Sequence, residues 1–137
     1  MADPIDGPAQ EWRIVLTFWV LIVDDELEVG GELAEAIDLL GGSAVFHSCP
    51  ESCLAILKKT EQRFDVIIAD LAMPAMSGLE FLQEVSRILD PRPKCFLMTG
   101  LPEFKGAEIR ECDLFQLLPK PVSLRELREK VGHPKSS

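Results

Sequence analysis

The chain is short of basic charge: 14 Lys and Arg stand against 23 Asp and Glu in 137 residues, for a formal net charge of −9. That deficit argues against a phosphate-tracking nucleic-acid surface and against attraction to anionic lipid, because either partner is repelled across a Debye length. Long hydrophobic runs are missing too. The apolar stretch from Trp12 to Val23 falls short of the roughly 20 residues of a spanning helix. It is preceded by Asp3, Asp6 and Glu11, where a secretory signal would carry Lys or Arg. Cys49, Cys53, Cys95 and Cys112 include no CxxC pair and have no neighbouring His pair, so zinc and a disulfide framework fit poorly and reduced, cytoplasmic thiols are expected. His47 and His133 have no partner at catalytic spacing and read as structural.

What is present describes one compact domain. The hydrophobic fraction is 47%, and a chain of this length buries roughly 70% of the surface its unfolded form exposes. Residues 1–11, with Pro4, Gly7 and Pro8, read as a disordered leader, and 12–18 as an apolar N-terminal extension, either a prolonged first strand or an added pairing or dimer element. The folded domain is placed at 19–131 and a polar tail at 132–137. Short apolar runs at Trp19 to Val23, Ala44 to Phe46, Val66 to Ala69, Cys95 to Met98 and Phe115 to Leu118 predict five strands. Helical spacing separates or follows them: Leu33, Ile37 and Leu40; Leu54 and Leu57; Leu79, Leu82, Val85 and Leu89; a short Phe104 to Cys112 piece; and Leu124, Leu127 and Val131. Gly30 and Gly31 weaken the start of the first helix. Such alternation predicts an α/β fold, a parallel sheet with helices on both faces, with ligands at the carboxyl ends of the strands.

Those ends are polar. Strand one runs into Asp24, Asp25 and Glu26, strand three into Asp70, strand four into Thr99 and Gly100, and strand five into Leu118, Pro119 and Lys120. Taken singly, Asp25 reads as a helix cap, Thr99 as a turn hydroxyl and Lys120 as a solvated end residue. Together they differ. Three carboxylates converging on one rim repel one another, so either one stays protonated or a hard cation neutralises them. A magnesium site beside a cation and a hydroxyl suits phosphoryl transfer.

The strings VLIVDDE at 20–26, DVIIADLAMPAMSGLEFL at 65–82, FLMTG at 96–100 and LLPKP at 117–121 resemble the receiver domain of bacterial two-component response regulators. The resemblance covers about 19–131. It implies a flavodoxin-like (βα)5 fold with a five-stranded parallel sheet of order 2-1-3-4-5. It implies that Asp70 is the phosphoacceptor for a histidine kinase or phosphotransfer protein. Asp24 (through water), Asp25, Asp70 and the backbone carbonyl of Ala72 would hold Mg2+. Lys120 would pair with one phosphoryl oxygen and Thr99 would hydrogen-bond to another, and the Lys120–Pro121 bond is commonly cis in the family. Output would pass to a partner or an effector domain, and a homodimer is compatible with the family; no contact with nucleic acid or membrane is expected of this domain. The chemistry would be self-phosphorylation and autodephosphorylation, without turnover of an external substrate.

The position three before Lys120, commonly Tyr or Phe in the family, is Leu117 here. That departure motivates an alternative function, a phosphorylation-independent interaction scaffold with a receiver fold. Ala72 lies two residues after Asp70 and Leu101 two after Thr99; neither can orient an attacking water, so slow hydrolysis of the phosphorylated form is expected.

Overall fold

The computed structural model describes residues 18–100 and 111–131. In it the chain forms β1 (Trp19–Val23), α1 (Leu27–Leu39), β2 (Ser43–His47), α2 (Pro50–Leu57), β3 (Val66–Asp70), α3 (Gly78–Ile88), β4 (Lys94–Thr99), β5 (Gln116–Pro119) and α4 (Leu124–Lys130). The expected leader, residues 12–17 of the extension, residues 104–110 of the expected fourth helix and the tail lie outside the described residues. All strand pairs are parallel and the order is β2-β1-β3-β4-β5.

Side chains alternate across a strand, and both faces of this sheet are covered, which is why the strands are apolar without a polar period. Leu21, Val23, Ile67, Ala69 and Leu97 face the layer of α2 and α3, where Leu54, Phe81, Leu82 and Val85 meet them. Val20, Ile22, Val66, Ile68, Phe96 and Met98 face the layer of α1 and α4, against Leu33, Ile37, Leu127 and Val131. Phe18 is buried in that second layer, and its carbonyl accepts the Ser43 N–H at 2.8 Å. Each fully buried aliphatic side chain contributes roughly 1.5–3 kcal/mol relative to exposure.

Local chemistry sets the helix starts. At α3, Ser77 Oγ accepts the Glu80 N–H at 3.1 Å and Glu80 Oε1 accepts the Ser77 N–H at 3.0 Å, a reciprocal cap. At α4, Ser123 Oγ accepts the Glu126 N–H at 3.0 Å. Pro50 occupies the first turn of α2, where its missing N–H costs nothing. Helix α1 is continuous despite its two glycines, and Gly30 is there for space: a Cβ would lie 2.1 Å from the Phe46 ring.

Two boundary expectations need correction. The fifth strand begins at Gln116, because Phe115 exchanges backbone hydrogen bonds with Cys112 at 3.1 and 3.2 Å in an isolated antiparallel bridge. The same bridge takes Cys112 out of the helix expected over 104–112. The outer edge of β5 is closed by side chains: Glu111 accepts the Leu117 N–H at 2.8 Å, and Lys130 Nζ donates to the Leu117 carbonyl at 3.2 Å.

Candidate functional site

Parallel pairing in register brings the ends of β1, β3, β4 and β5 to one rim. Val23 is level with Ala69, Asp70 with Met98, and Thr99 with Pro119, so Asp24, Asp70, Thr99 and Lys120 emerge together. Lys120 is tied to this level by its own N–H, which donates to the Thr99 carbonyl at 2.7 Å. The Lys120–Pro121 bond is cis. Asp24 is fixed from both sides: its N–H donates to the His47 carbonyl at 3.2 Å, and its Oδ1 accepts the Glu26 N–H at 2.9 Å.

Behind Asp70 the backbone of α3 comes unusually close. A Cβ on Gly78 would stand 2.3 Å from the Asp70 carbonyl oxygen, and the Gly78 N–H donates to the Leu71 carbonyl at 3.0 Å. Only glycine allows that approach, which braces the end of β3 against the start of α3.

Lys120 Nζ lies 2.8 Å from Asp70 Oδ1 and 3.7 Å from Glu26 Oε1. Ligand oxygens of Asp24, Asp25 and Asp70 all fall within 4.8 Å of one another. Asp24, Asp70 and Thr99 are the buried polar residues of the described chain, at 0%, 1% and 1% exposure. Asp24 Oδ2, Asp25 Oδ1, Asp70 Oδ1 and Thr99 Oγ1 are buried without an aligned neutral hydrogen-bond partner, and Asp70 Oδ1 has the Lys120 ammonium 2.8 Å away as its ion pair. Burial pushes the Asp24 carboxyl up to about 6, against the Glu26 N–H and with help from the negative charge of Asp70. Burial also raises Asp70, with Lys120 pulling the other way, Asp25 adding to the rise, and the Ala72 N–H lowering it through a hydrogen bond. For Lys120, burial lowers the pKa but contact with Asp70 and the charges of Asp24 and Glu26 outweigh it, and the ammonium is held above its ordinary value.

The single-residue readings fail here. The cap residue of α1 is Glu26, not Asp25, and the ammonium of Lys120 is turned to Asp70 instead of solvent. The rim residues expected from sequence, Asp24, Asp25, Asp70, Thr99 and Lys120, are brought together, with Ala72 beside them through its N–H. Glu26 is named at the rim by the sequence but without its contact to Lys120, and Gly78 is missed; the glycine of the MSGLE string is the available signal for the latter. A hard divalent cation fits this donor set, because three carboxylates with buried oxygens carry more negative charge than the single Lys120 ammonium offsets.

The sequence profile of the response regulator receiver domain matches residues 20–132. A response regulator receiver protein of Anaeromyxobacter is 34% identical over 105 residues, covering 76% of this chain and 43% of that protein. A protein-glutamate methylesterase/protein-glutamine glutaminase of Rhodospirillum centenum is 32% identical, over 80% of this chain and 28% of its own length. The chain thus spans less than half of either of these relatives. Among solved structures, a receiver domain protein of Clostridium thermocellum superposes with a TM-score of 0.67 at 25% identity, covering 80% of this chain and 87% of that one. A CheY-like receiver domain of Methylobacillus flagellatus, at 23% identity, shares the fold with a TM-score of 0.69 over 82% of this chain and 94% of its own. No helix among the described residues is long and apolar enough to cross a membrane. With its sheet order, its acidic rim and the match over residues 20–132, the chain belongs to the receiver domain family of two-component response regulators.

Proposed function

We propose that Asp70 accepts a phosphoryl group from the phosphohistidine of a histidine kinase or phosphotransfer protein, in a magnesium-dependent reaction. An Asp70 carboxylate oxygen forms the new bond to phosphorus as the phosphorus–nitrogen bond of the donor breaks, and the imidazole leaves with that electron pair. Asp24, Asp25, Asp70 and the Ala72 carbonyl are the groups that would hold the ion, which when bound offsets negative charge on the transferring oxygens. Lys120 waits on Asp70 and passes to a phosphoryl oxygen once Asp70 is modified. Thr99, whose hydroxyl has no partner, supplies a hydrogen bond to another. Burial of Asp70 limits competing water.

The observation that carries the reading is the Lys120 ammonium 2.8 Å from a buried Asp70 that shares its pocket with two further carboxylates. The domain works on itself and not on an external substrate, acts in the cytoplasm, and hands its signal to a partner protein or an effector domain. Intact-mass measurement after incubation with acetyl phosphate and magnesium tests the site. One phosphoryl group is expected, lost with EDTA and lost in Asp70→Asn while that variant stays folded. Modification that persists in Asp70→Asn would move the acceptor elsewhere.

A further inference from the structure

Glu26 is the cap residue of α1, yet its side chain caps nothing. A side chain at that position ordinarily accepts an N–H of the first turn, as Ser77 and Ser123 do for α3 and α4. Glu26 instead sends its carboxylate to Lys120, 3.7 Å from the ammonium that stands 2.8 Å from Asp70. The two anions differ in access: the Glu26 side chain is 61% exposed and that of Asp70 2%. Glu26 therefore meets the ammonium from the solvent side, where a donor must enter.

The surface beside it is also negative. Glu26, Glu32 and Lys120 line a groove of about 420 Å³ between α1 and α4, together with the apolar Val29, Ala36 and Val122. Helix α1 carries Glu28, Glu32, Glu35 and Asp38 and no Lys or Arg. A phosphodonor that engages Lys120 must draw that ammonium away from two carboxylates, Asp70 and Glu26. One of the two, Glu26, is left unmodified by the transfer.

We propose that Glu26 is a selectivity residue for the phosphodonor: it disfavours free dianionic donors such as acyl phosphates and favours donors with positive charge at or beside the leaving nitrogen, as on a phosphohistidine of a basic protein surface. The proposal rests on Asp70 being the phosphoacceptor. It concerns charge at the entrance and leaves the bond-making atoms unchanged.

Two small donors separate the effects. Acetyl phosphate is a dianion that loses acetate as its phosphorus–oxygen bond breaks; phosphoramidate, protonated on nitrogen, loses ammonia as its phosphorus–nitrogen bond breaks. In both reactions an Asp70 oxygen takes the phosphoryl group. Intact-mass time courses with magnesium are expected to show that Glu26→Gln raises the rate with acetyl phosphate relative to phosphoramidate by about threefold to fivefold, the scale of one exposed charge. The shift in ratio should shrink in 1 M salt, where the Debye length is about 3 Å. Equal changes for both donors would mean a structural effect only and would overturn the proposal, as would an unchanged ratio. Labelling by neither donor in the unaltered protein would instead sink the phosphoacceptor reading, and this proposal with it. The NMR resonance of the Lys120 side chain reads the contact without any transfer. It is expected to move in Glu26→Gln, and a stationary resonance would show that Glu26 does not hold the ammonium.

Discussion

The two ends of the sheet treat polar groups in opposite ways. At the amino ends, Asp65 Oδ2 accepts the Trp19 N–H at 2.8 Å, the Asp65 N–H donates to the Trp19 carbonyl at 2.9 Å, and the Asp65 carbonyl accepts the Lys94 N–H at 3.0 Å. One residue thereby ties β1, β3 and β4 together. At the carboxyl ends, oxygens of Asp24, Asp25, Asp70 and Thr99 are buried with no hydrogen-bond partner. A buried polar group left unpaired costs about 1–3 kcal/mol, more when charged. The amino end is therefore built for stability. The carboxyl end gives stability up, and its unmet groups are what a cation and a phosphoryl group would satisfy.

Substitutions that act at one end only test this contrast. The largest effect is expected from Gly78→Ala, whose Cβ would come 2.3 Å from the Asp70 carbonyl oxygen. Backbone has to move, so a loss on the order of 3 kcal/mol in denaturant unfolding is expected, together with slower phosphorylation. A variant as stable and as active as the parent would mean that the brace behind Asp70 is unimportant.

The pH dependence of the metal-free protein comes next. Burial pushes the Asp24 carboxyl from its ordinary 3.8 up to about 6 in the folded state, a preference for the protonated form on the order of 3 kcal/mol. Burial raises this pKa, so the folded state prefers the proton. Below pH 3.8 both states hold it and there is no cost; between 3.8 and 6 the unfolded state gives up the proton while the folded state keeps it, so stability falls, and above 6 the full cost of ionising the buried group is present. Asp70 shifts in the same direction. With EDTA present, unfolding free energy is expected to drop between pH 4 and 7, less so in Asp24→Asn, and added magnesium is expected to restore it, as a ligand of the folded state would. A metal-free protein that is equally stable at both pH values, in parent and variant alike, would contradict the cost assigned to the carboxyl end.

A smaller effect concerns the lifetime of the phosphorylated form. Ala72 offers the site an N–H but no polar side chain, so Ala72→Gln is expected to speed phosphate release about threefold, as a positioned polar group assists an attacking water. An unchanged or longer lifetime would remove Ala72 as a cause of slow hydrolysis. The smallest effect is expected at Gly31, where an added Cβ meets nothing within 4 Å. Gly31→Ala should stabilise the protein by about 0.5–1 kcal/mol in denaturant titration and leave phosphorylation untouched, because it reduces unfolded-chain entropy at a position with open space around it. A destabilised Gly31→Ala would show that α1 needs its second glycine for a reason other than space.

The sequence by itself determined the layered architecture. Runs such as VIIA at 66–69 are apolar at every position, which only a sheet covered on both faces explains, and strand and helix alternate in an order that requires parallel pairing. It also marked the rim, because charged residues directly after buried strands stand out against the pattern. Other details were hidden, since they depend on neighbours distant in the chain. No local signal says that Phe115 will pair with Cys112 in place of continuing β5, or that Gly30 is needed under Phe46. The partner of Lys120 was equally out of reach: its ammonium meets Asp70 and Glu26, 50 and 94 positions away in the numbering, only because register across the sheet brings three strand ends level. Residue types and their period decide which segments are buried, whereas pairing register and close packing decide which polar groups meet. Only the second of these converts a row of acids into a buried site with unmet oxygens.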